Sequence, residues 1–258
     1  MKGFPPADSY WRFANSVRTQ RRYLLKPEAR RFLRAIRSTA ERRVEVVKTG
    51  SLFWRAQRGS LTVEVPIDGT DETVEEDAPF KVSRMKPLRG LATEGRANPK
   101  GIPYLYLASH RDTAAAEVRP WKAGVISIGQ FRVVRELRLV NTTLFSKQAL
   151  YLGRQPDPIK REEAVWGDID DAFAVPSTLT DNASEYVPTQ VLAELFREQG
   201  YDGIAYRSSY GKGHNIVLFD IDLAAQVNCF LMRVKDLQFS FDVEDRFGYA
   251  VKGSGSEK

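Results

Sequence analysis

Apolar positions recur at helical spacing early in the chain. Tyr10, Phe13, Ala14 and Val17 fall on one face of a helix that Ser9 can cap. Phe32, Leu33 and Ile36 line one side of a second helix that starts at Pro27, a residue suited to the first helical position. Residues 9–48 as a whole read as helices. Strand-like runs follow at 51–56 (SLFWRA), 104–109 (YLYLAS), 125–131 (VISIGQF) and 133–141 (VVRELRLVN). A short helix, 112–118, is capped by Asp112 and stopped before Pro120, and 157–175 is helical in part. The clearest helix is 189–200 (TQVLAELFREQG), with Thr189 as cap, Val191, Leu192, Leu195 and Phe196 on one face, and Gly200 at its end. Beyond it, 204–209 and 215–220 flank a polar turn and read as a hairpin or as two adjacent strands with polar loops. Residues 68–79 (DGTDETVEEDAP) lack periodicity and read as a solvated acidic loop, and 251–258 as a disordered tail. Helices and strands mix without strict alternation, which predicts an α+β fold.

Of the 258 residues, 42% are hydrophobic and 28% charged, the balance of a globular chain long enough to bury its own core. Cys229 is the single cysteine, which excludes an internal disulfide, and with only His110 and His214 a structural zinc is not expected. No apolar run approaches the ~18 residues of a membrane span, and the first residues lack the apolar core of a secretion signal. A soluble, cytoplasmic protein without membrane contact is expected. Charge is uneven: residues 1–58 carry 15 Lys and Arg against 4 Asp and Glu, a net +11, which leaves −5 for the other 200. A basic helical extension, 1–48, is therefore set apart from a main domain, 49–250. It can be a solvated face, or it can meet an acidic partner or nucleic acid.

Common catalytic signatures are absent: the chain has no GxSxG, GxxxxGK[ST], HExxH or CxxC. Ser208 and His214, six residues apart across a turn, do not form a diagnostic nucleophile–base pair. One segment stands apart, 96–118 (RANPKGIPYLYLASHRDTAAAEV). It carries an arginine and an asparagine in a Pro/Gly loop, a tyrosine on a strand and a glutamate on a short helix. A guanidinium fork suits a pyrophosphate, a phenol ring can stack on a heteroaromatic ring, and a carboxylate can stabilise a developing cation. The plain alternative is an exposed arginine, a core tyrosine and a solvated glutamate.

The same segment, with the later GYDGIAYRSS and NIVLFD, resembles the RES domain, a family named for its arginine, glutamate and serine. In EGRANPKG the family's loop arginine falls on Arg96 and its asparagine on Asn98. PYLYLA brings Tyr106, AAAEV brings Glu117, and GYDGIAYRSS places the serine at Ser208, with Ser209 next to it. An earlier family arginine falls on Arg55 in LFWRAQRG. Two positions depart from the pattern: Ala97 stands where the family has an aromatic residue, and Arg207 where it has proline. The resemblance spans roughly residues 50–220, by motif order, and leaves the basic helices outside.

It implies an ADP-ribosyltransferase-like α+β fold, with a mixed or antiparallel sheet, that binds NAD as substrate and breaks its nicotinamide–ribose bond without a metal. It further implies a toxin of a bacterial toxin–antitoxin or defence system, with an Xre-type antitoxin as partner. In that picture Glu117 stabilises oxocarbenium character, Arg96 and Arg55 hold pyrophosphate or an incoming anion, Tyr106 orients the ribose, and Asn98 and Ser208 contact the dinucleotide, Ser208 at its nicotinamide end. Water, phosphate or a protein side chain as acceptor would make the enzyme a glycohydrolase, a phosphorylase or an ADP-ribosyltransferase. A basic, non-enzymatic nucleic-acid-binding protein is the alternative from a different class. The N-terminal helices are expected to support the fold or dock a partner, not to act in catalysis.

Overall fold

The computed structural model describes residues 4–144, 157–175, 183–238 and 240; the tail predicted at 251–258 lies outside them. In chain order the elements are α1 (Ser9–Thr19), α2 (Pro27–Thr39), β1 (Val44–Val47), β2 (Leu52–Arg58), β3 (Leu61–Pro66), β4 (Thr73–Ala78), α3 (Val82–Met85) and β5 (Leu105–Ala108). There follow α4 (Arg111–Glu117), β6 (Val125–Val133), β7 (Leu137–Asn141), α5 (Pro158–Ala174), α6 (Val187–Glu198), β8 (Gly203–Arg207), β9 (His214–Leu218) and β10 (Ala224–Arg233). Eight strands form one mixed sheet in the order β1-β7-β8-β9-β5-β2-β6-β10, in which only β7 and β8 run parallel. The α+β expectation holds.

Strand alternation divides the core in two. Val140, Ile204 and Val217 face a helical layer built from α1, α2, α5 and α6, while Leu139, Ala205 and Ile216 face the opposite cluster with Phe131, Leu137 and Met85. The N-terminal helices share the first of these cores. Phe13 stacks on Phe32 at 4.6 Å, and Tyr10, Val17 and Ile36 are buried beside them. Arg43, almost wholly buried, lies 4.3 Å over the Trp166 ring, whose Nε1 donates to Thr39 Oγ1 at 3.0 Å. The N-terminal arginines divide into two sets. Arg37 pairs with Glu198, and Arg42 and Arg43 pair with Glu162, which ties the segment to α6 and α5. Arg21, Arg22, Arg30, Arg31 and Arg34 are exposed and, among the described residues, form no ion pair.

Several local expectations are corrected. Residues 44–47 are a strand, too short for periodicity to mark after a helix, and they pair with β7. The second half of the acidic loop is β4, paired with β3 in a separate hairpin around Gly69, whose φ of +82° suits the turn. In β3 Leu61, Val63 and Val65 alternate with Thr62 and Glu64, a strand signal that was passed over, whereas the acidic TVEEDA of β4, with Glu75 opposite Glu64, has none. Ser9 is the first residue of α1 rather than its cap, a position taken by Asp8. His110, not Asp112, precedes α4, and α6 begins at Val187, so Thr189 lies inside its first turn. β10 was not foreseen. Its run AAQVNCFLMR alternates poorly, and its pairing with β6 shifts register between Gln226 and Asn228.

If the N-terminal helices belong to the core, Phe13→Ala will destabilise the whole chain by about 3–5 kcal/mol, as expected for a buried phenylalanine in a stack. Urea denaturation measures this; a loss under about 1 kcal/mol would mean the helices fold apart from the sheet.

Candidate active site

The sheet is nearly split between β2 and β5, which pair at a single position, Trp54 opposite Ala108. β2 otherwise follows β6 along its full length, and β5 follows β9. Where β2 and β5 part, the Arg55 Nη1 donates to the Tyr106 carbonyl at 2.9 Å, so a side chain stands where a ladder partner would otherwise be. Two adjoining cavities open here. The smaller, about 260 Å³, is lined by Trp54, Arg55, Tyr106, Glu117, Tyr206 and Asn215 among others. The larger, about 1280 Å³, shares Arg55, Tyr106 and Glu117 and extends past Arg58, Arg84 and Lys86.

Glu117 is the last residue of α4, a position that aims its carboxylate across the cleft toward the β8–β9 hairpin. Its Oε1 accepts from Ser208 Oγ at 2.7 Å and from Asn215 Nδ2 at 2.5 Å. Two donors on one oxygen fix the carboxylate's orientation and leave Oε2 for a ligand. Ser208 is itself held, accepting from the Tyr210 backbone N–H at 3.1 Å. Ser209 points elsewhere and donates to the Ala174 carbonyl at 2.8 Å, so Ser208 is the serine that meets the glutamate. With its proton given to Glu117, the Ser208 hydroxyl keeps one acceptor lone pair for the expected contact with a nicotinamide end. Asn215, which the sequence reading missed, is a buried amide in an otherwise apolar strand; that polar interruption of HNIVL was the available signal.

Arg55 is half-buried. Among the described residues its Nε has no hydrogen-bond partner and no carboxylate pairs with it. Burial, foremost, pushes its pKa down to about 10, with the Arg84 charge adding to the effect and Tyr106 opposing it. The side chain remains cationic at neutral pH. An unpaired cation in a cleft is costly to the fold and suited to an anionic ligand.

Asn98 and Tyr106 both line the larger cavity and are tied to each other. The Asn98 amide donates to the carbonyls of Thr93, Pro99 and Ile102, and its Oδ1 accepts from the Tyr106 hydroxyl at 2.8 Å. That hydroxyl in turn accepts from the Ala97 backbone N–H. Asn98 is therefore an internal brace of the 94–102 loop, and Tyr106 presents its ring, not its hydroxyl, to both cavities. Burial raises the Tyr106 and Tyr206 pKa values well above the usual phenol range, so both are neutral walls of the cleft. Gly95 is required: a Cβ there would come within 2.6 Å of the Tyr106 hydroxyl oxygen. Helix α6 closes the loop from behind, with Thr189 Oγ1 donating to the Arg96 carbonyl and Gln190 Nε2 to the carbonyls of Gly95 and Asn98.

Arg96 is not brought to the cleft wall. Its Nη1 donates to the Ala172 carbonyl at 3.2 Å and its guanidinium lies over the Tyr186 ring, and it lines neither cavity. Its charge still reaches Tyr106 and Tyr206. The structure thus brings Arg55, Asn98, Tyr106 and Glu117 to one cleft, with Ser208 and Asn215 bonded to Glu117 and Arg96 behind them. Among the described residues no group of three or more His, Cys, Asp or Glu is placed to hold a metal, and no helix is long and apolar enough to cross a membrane.

A mixed sheet thus splits beside a clamped carboxylate and an arginine that has no carboxylate partner among the described residues. Residues 74–242 match the RES domain, well over half of the chain, and the protein belongs to that family. The matched stretch contains Arg96, Asn98, Tyr106, Glu117 and Ser208, while Arg55 precedes it. A solved structure, described as the M. tuberculosis MbcT–MbcA toxin–antitoxin complex, holds a chain that is 14% identical. The comparison covers 76% of this chain and 91% of that one, with a TM-score of 0.42. No curated protein matches the chain.

Replacing the unpaired cation exposes its cost. Arg55→Met is expected to raise stability at pH 7 by about 1 kcal/mol while weakening binding of pyrophosphate. The lowered pKa sets the window: the penalty is fully present below about pH 10 and fades as pH rises from there toward the ordinary arginine range. Thermal melts and calorimetry with pyrophosphate read the two effects; a less stable variant would show that the bond to the Tyr106 carbonyl outweighs the buried charge.

Proposed function

We propose that this protein consumes NAD by breaking its nicotinamide–ribose bond and acts as a bacterial toxin of a toxin–antitoxin or defence system. The observation that carries the reading is Glu117, one carboxylate held by Ser208 and Asn215 beside the unpaired Arg55 and the ring of Tyr106. Membership of the RES family and the volume of the cleft, ample for a dinucleotide, support it.

The chemistry needs little more than this. The electrons of the breaking C–N bond leave with nicotinamide, which departs neutral from a cationic ring, so no acid has to protonate it. Glycosidases that expel an alkoxide use two carboxylates. Here the ribose carbon gains positive character as the bond stretches, and Oε2 of Glu117 stabilises it. Arg55 holds the pyrophosphate or an incoming anion. Tyr106 packs its ring against the nicotinamide ribose. Ser208 and Asn215 act through Glu117 as positioning residues, and Arg96 adds its charge from behind the tyrosines while tying the loop to α5.

Water as acceptor yields ADP-ribose, and phosphate yields its 1″-phosphate; a protein side chain would make the enzyme an ADP-ribosyltransferase. The half-buried cation beside the reacting carbon favours an anionic acceptor. An Xre-type antitoxin is the partner, and the five unpaired arginines of α2 and the turn before it offer an acidic partner its contact. The same face would serve nucleic acid if binding to it proved steeply salt-dependent.

Glu117→Gln is the direct test. It keeps shape, removes the charge, and is expected to lower NAD turnover by at least ~10²–10³-fold with an unchanged melting temperature. Turnover near that of the unaltered protein would remove Glu117 from the mechanism.

A further inference from the structure

The reactive end of the cleft accounts for only part of it. Leu88, Leu91 and Trp121 line the larger cavity and not the smaller, and they are 55%, 75% and 73% exposed. Three large apolar side chains left in water along one cleft, next to Arg58, Arg84 and Lys86, form a surface that is apolar and flanked by positive charge.

Trp121 is held there by an unusual turn. Arg119 and Ala123 have φ of +46° and +63°, the only two non-glycine residues in the left-handed region among those described. The turn between them is anchored on both sides. The Arg119 N–H donates to the Ala116 carbonyl, and the Gly124 N–H to the Trp121 carbonyl. The Ala123 N–H donates to the Val234 carbonyl and the Val234 N–H to the Gly124 carbonyl, which staples the turn to the end of β10. A Cβ on Gly124 would meet the Trp121 carbonyl oxygen at 3.0 Å. Backbone conformations of this kind persist where the surroundings over-determine them, and they gather at ligand sites. Here the outcome is a turn whose backbone is fixed and whose Trp121 side chain is left largely exposed on the cleft.

We propose that Trp121, on the cavity that Leu88 and Leu91 also line, is the platform on which the purine of the dinucleotide stacks. The inference rests on the NAD reading and extends it to the end of the substrate away from the reacting bond. Glu117 and Trp121 are four residues apart, which limits their Cα atoms to about 14 Å, a separation that a diphosphate with its two riboses can bridge. Arg58 and Arg84, exposed and without carboxylate partners among the described residues, line the same cavity. An indole ring offers the largest stacking face of any side chain, and stacking tolerates any base, so the platform sets affinity for a nucleotide end without acting on the bond broken.

The test compares the unaltered protein, Trp121→Ala and Trp121→Phe on NAD and on nicotinamide mononucleotide, which has the same scissile bond and no purine. Trp121→Ala is expected to raise KM for NAD about tenfold with kcat within twofold. It should leave kcat/KM for the mononucleotide unchanged, and Trp121→Phe should recover most of the loss. Calorimetry with ADP-ribose and with ribose 5-phosphate reads the subsite without turnover: Trp121→Ala should weaken the first about tenfold and not the second. If ADP-ribose binds both proteins alike, or if the variant loses both substrates equally, the platform is overturned. If the unaltered protein cleaves neither substrate yet ADP-ribose binding still depends on Trp121, the purine subsite stands and the NAD-cleavage reading fails.

Discussion

A carboxylate in a half-buried cleft has to be held, and here one oxygen of Glu117 takes both of its protein hydrogen bonds. The donors, Ser208 and Asn215, lie at the two ends of the β8–β9 turn, and the acceptor ends α4. The clamp therefore requires three things together: a hairpin in register with Arg207 opposite His214, a helix that stops at residue 117, and a strand β5 that pairs with β9 on one side while leaving β2 on the other. The parting of β2 and β5 makes the cavity, and Arg55 bridges the gap it leaves. Loss of any one of these would leave the half-buried Glu117 carboxylate without its donors, which costs more than the contacts themselves are worth.

The supporting parts are less conspicuous and equally physical. The loop before β5 is rigid because Asn98 satisfies three of its carbonyls and because Thr189 and Gln190 grip it from α6. The helices that cover that face of the sheet include α1 and α2, which lie outside the segment matching the family yet share its core. Cleft, loop and basic extension are thus mechanically joined, although only the first carries the proposed chemistry.

How much of this could be read from residues alone depended on the kind of signal. Phe13, Val17, Phe32 and Ile36 showed their buried faces through helical spacing, and Gly200, with φ of +83°, marked the end of α6. Glu117, Tyr106 and Ser208 were found through motif order, since each motif alone is weak. Arg96 was read as an anion holder because its loop matched, but a guanidinium is long, and which way it reaches is decided by tertiary partners, here the Ala172 carbonyl and the Tyr186 ring. Asn215 sat unnoticed in an apolar strand, β3 showed its alternation of Leu61, Val63 and Val65 yet was passed over, and β4 hid in an acidic run that Gly69 turns back onto it.

The central claim is that the clamped Glu117 cleaves the glycosidic bond of NAD, and product analysis tests it most directly. Purified protein is incubated with NAD, with and without inorganic phosphate, and the products are identified by mass. The account predicts free nicotinamide in both reactions, with ADP-ribose from water and ADP-ribose 1″-phosphate when phosphate is the acceptor, and at least ~10²-fold slower formation of each by Glu117→Gln. NAD recovered intact from the unaltered, folded protein under both conditions would contradict it.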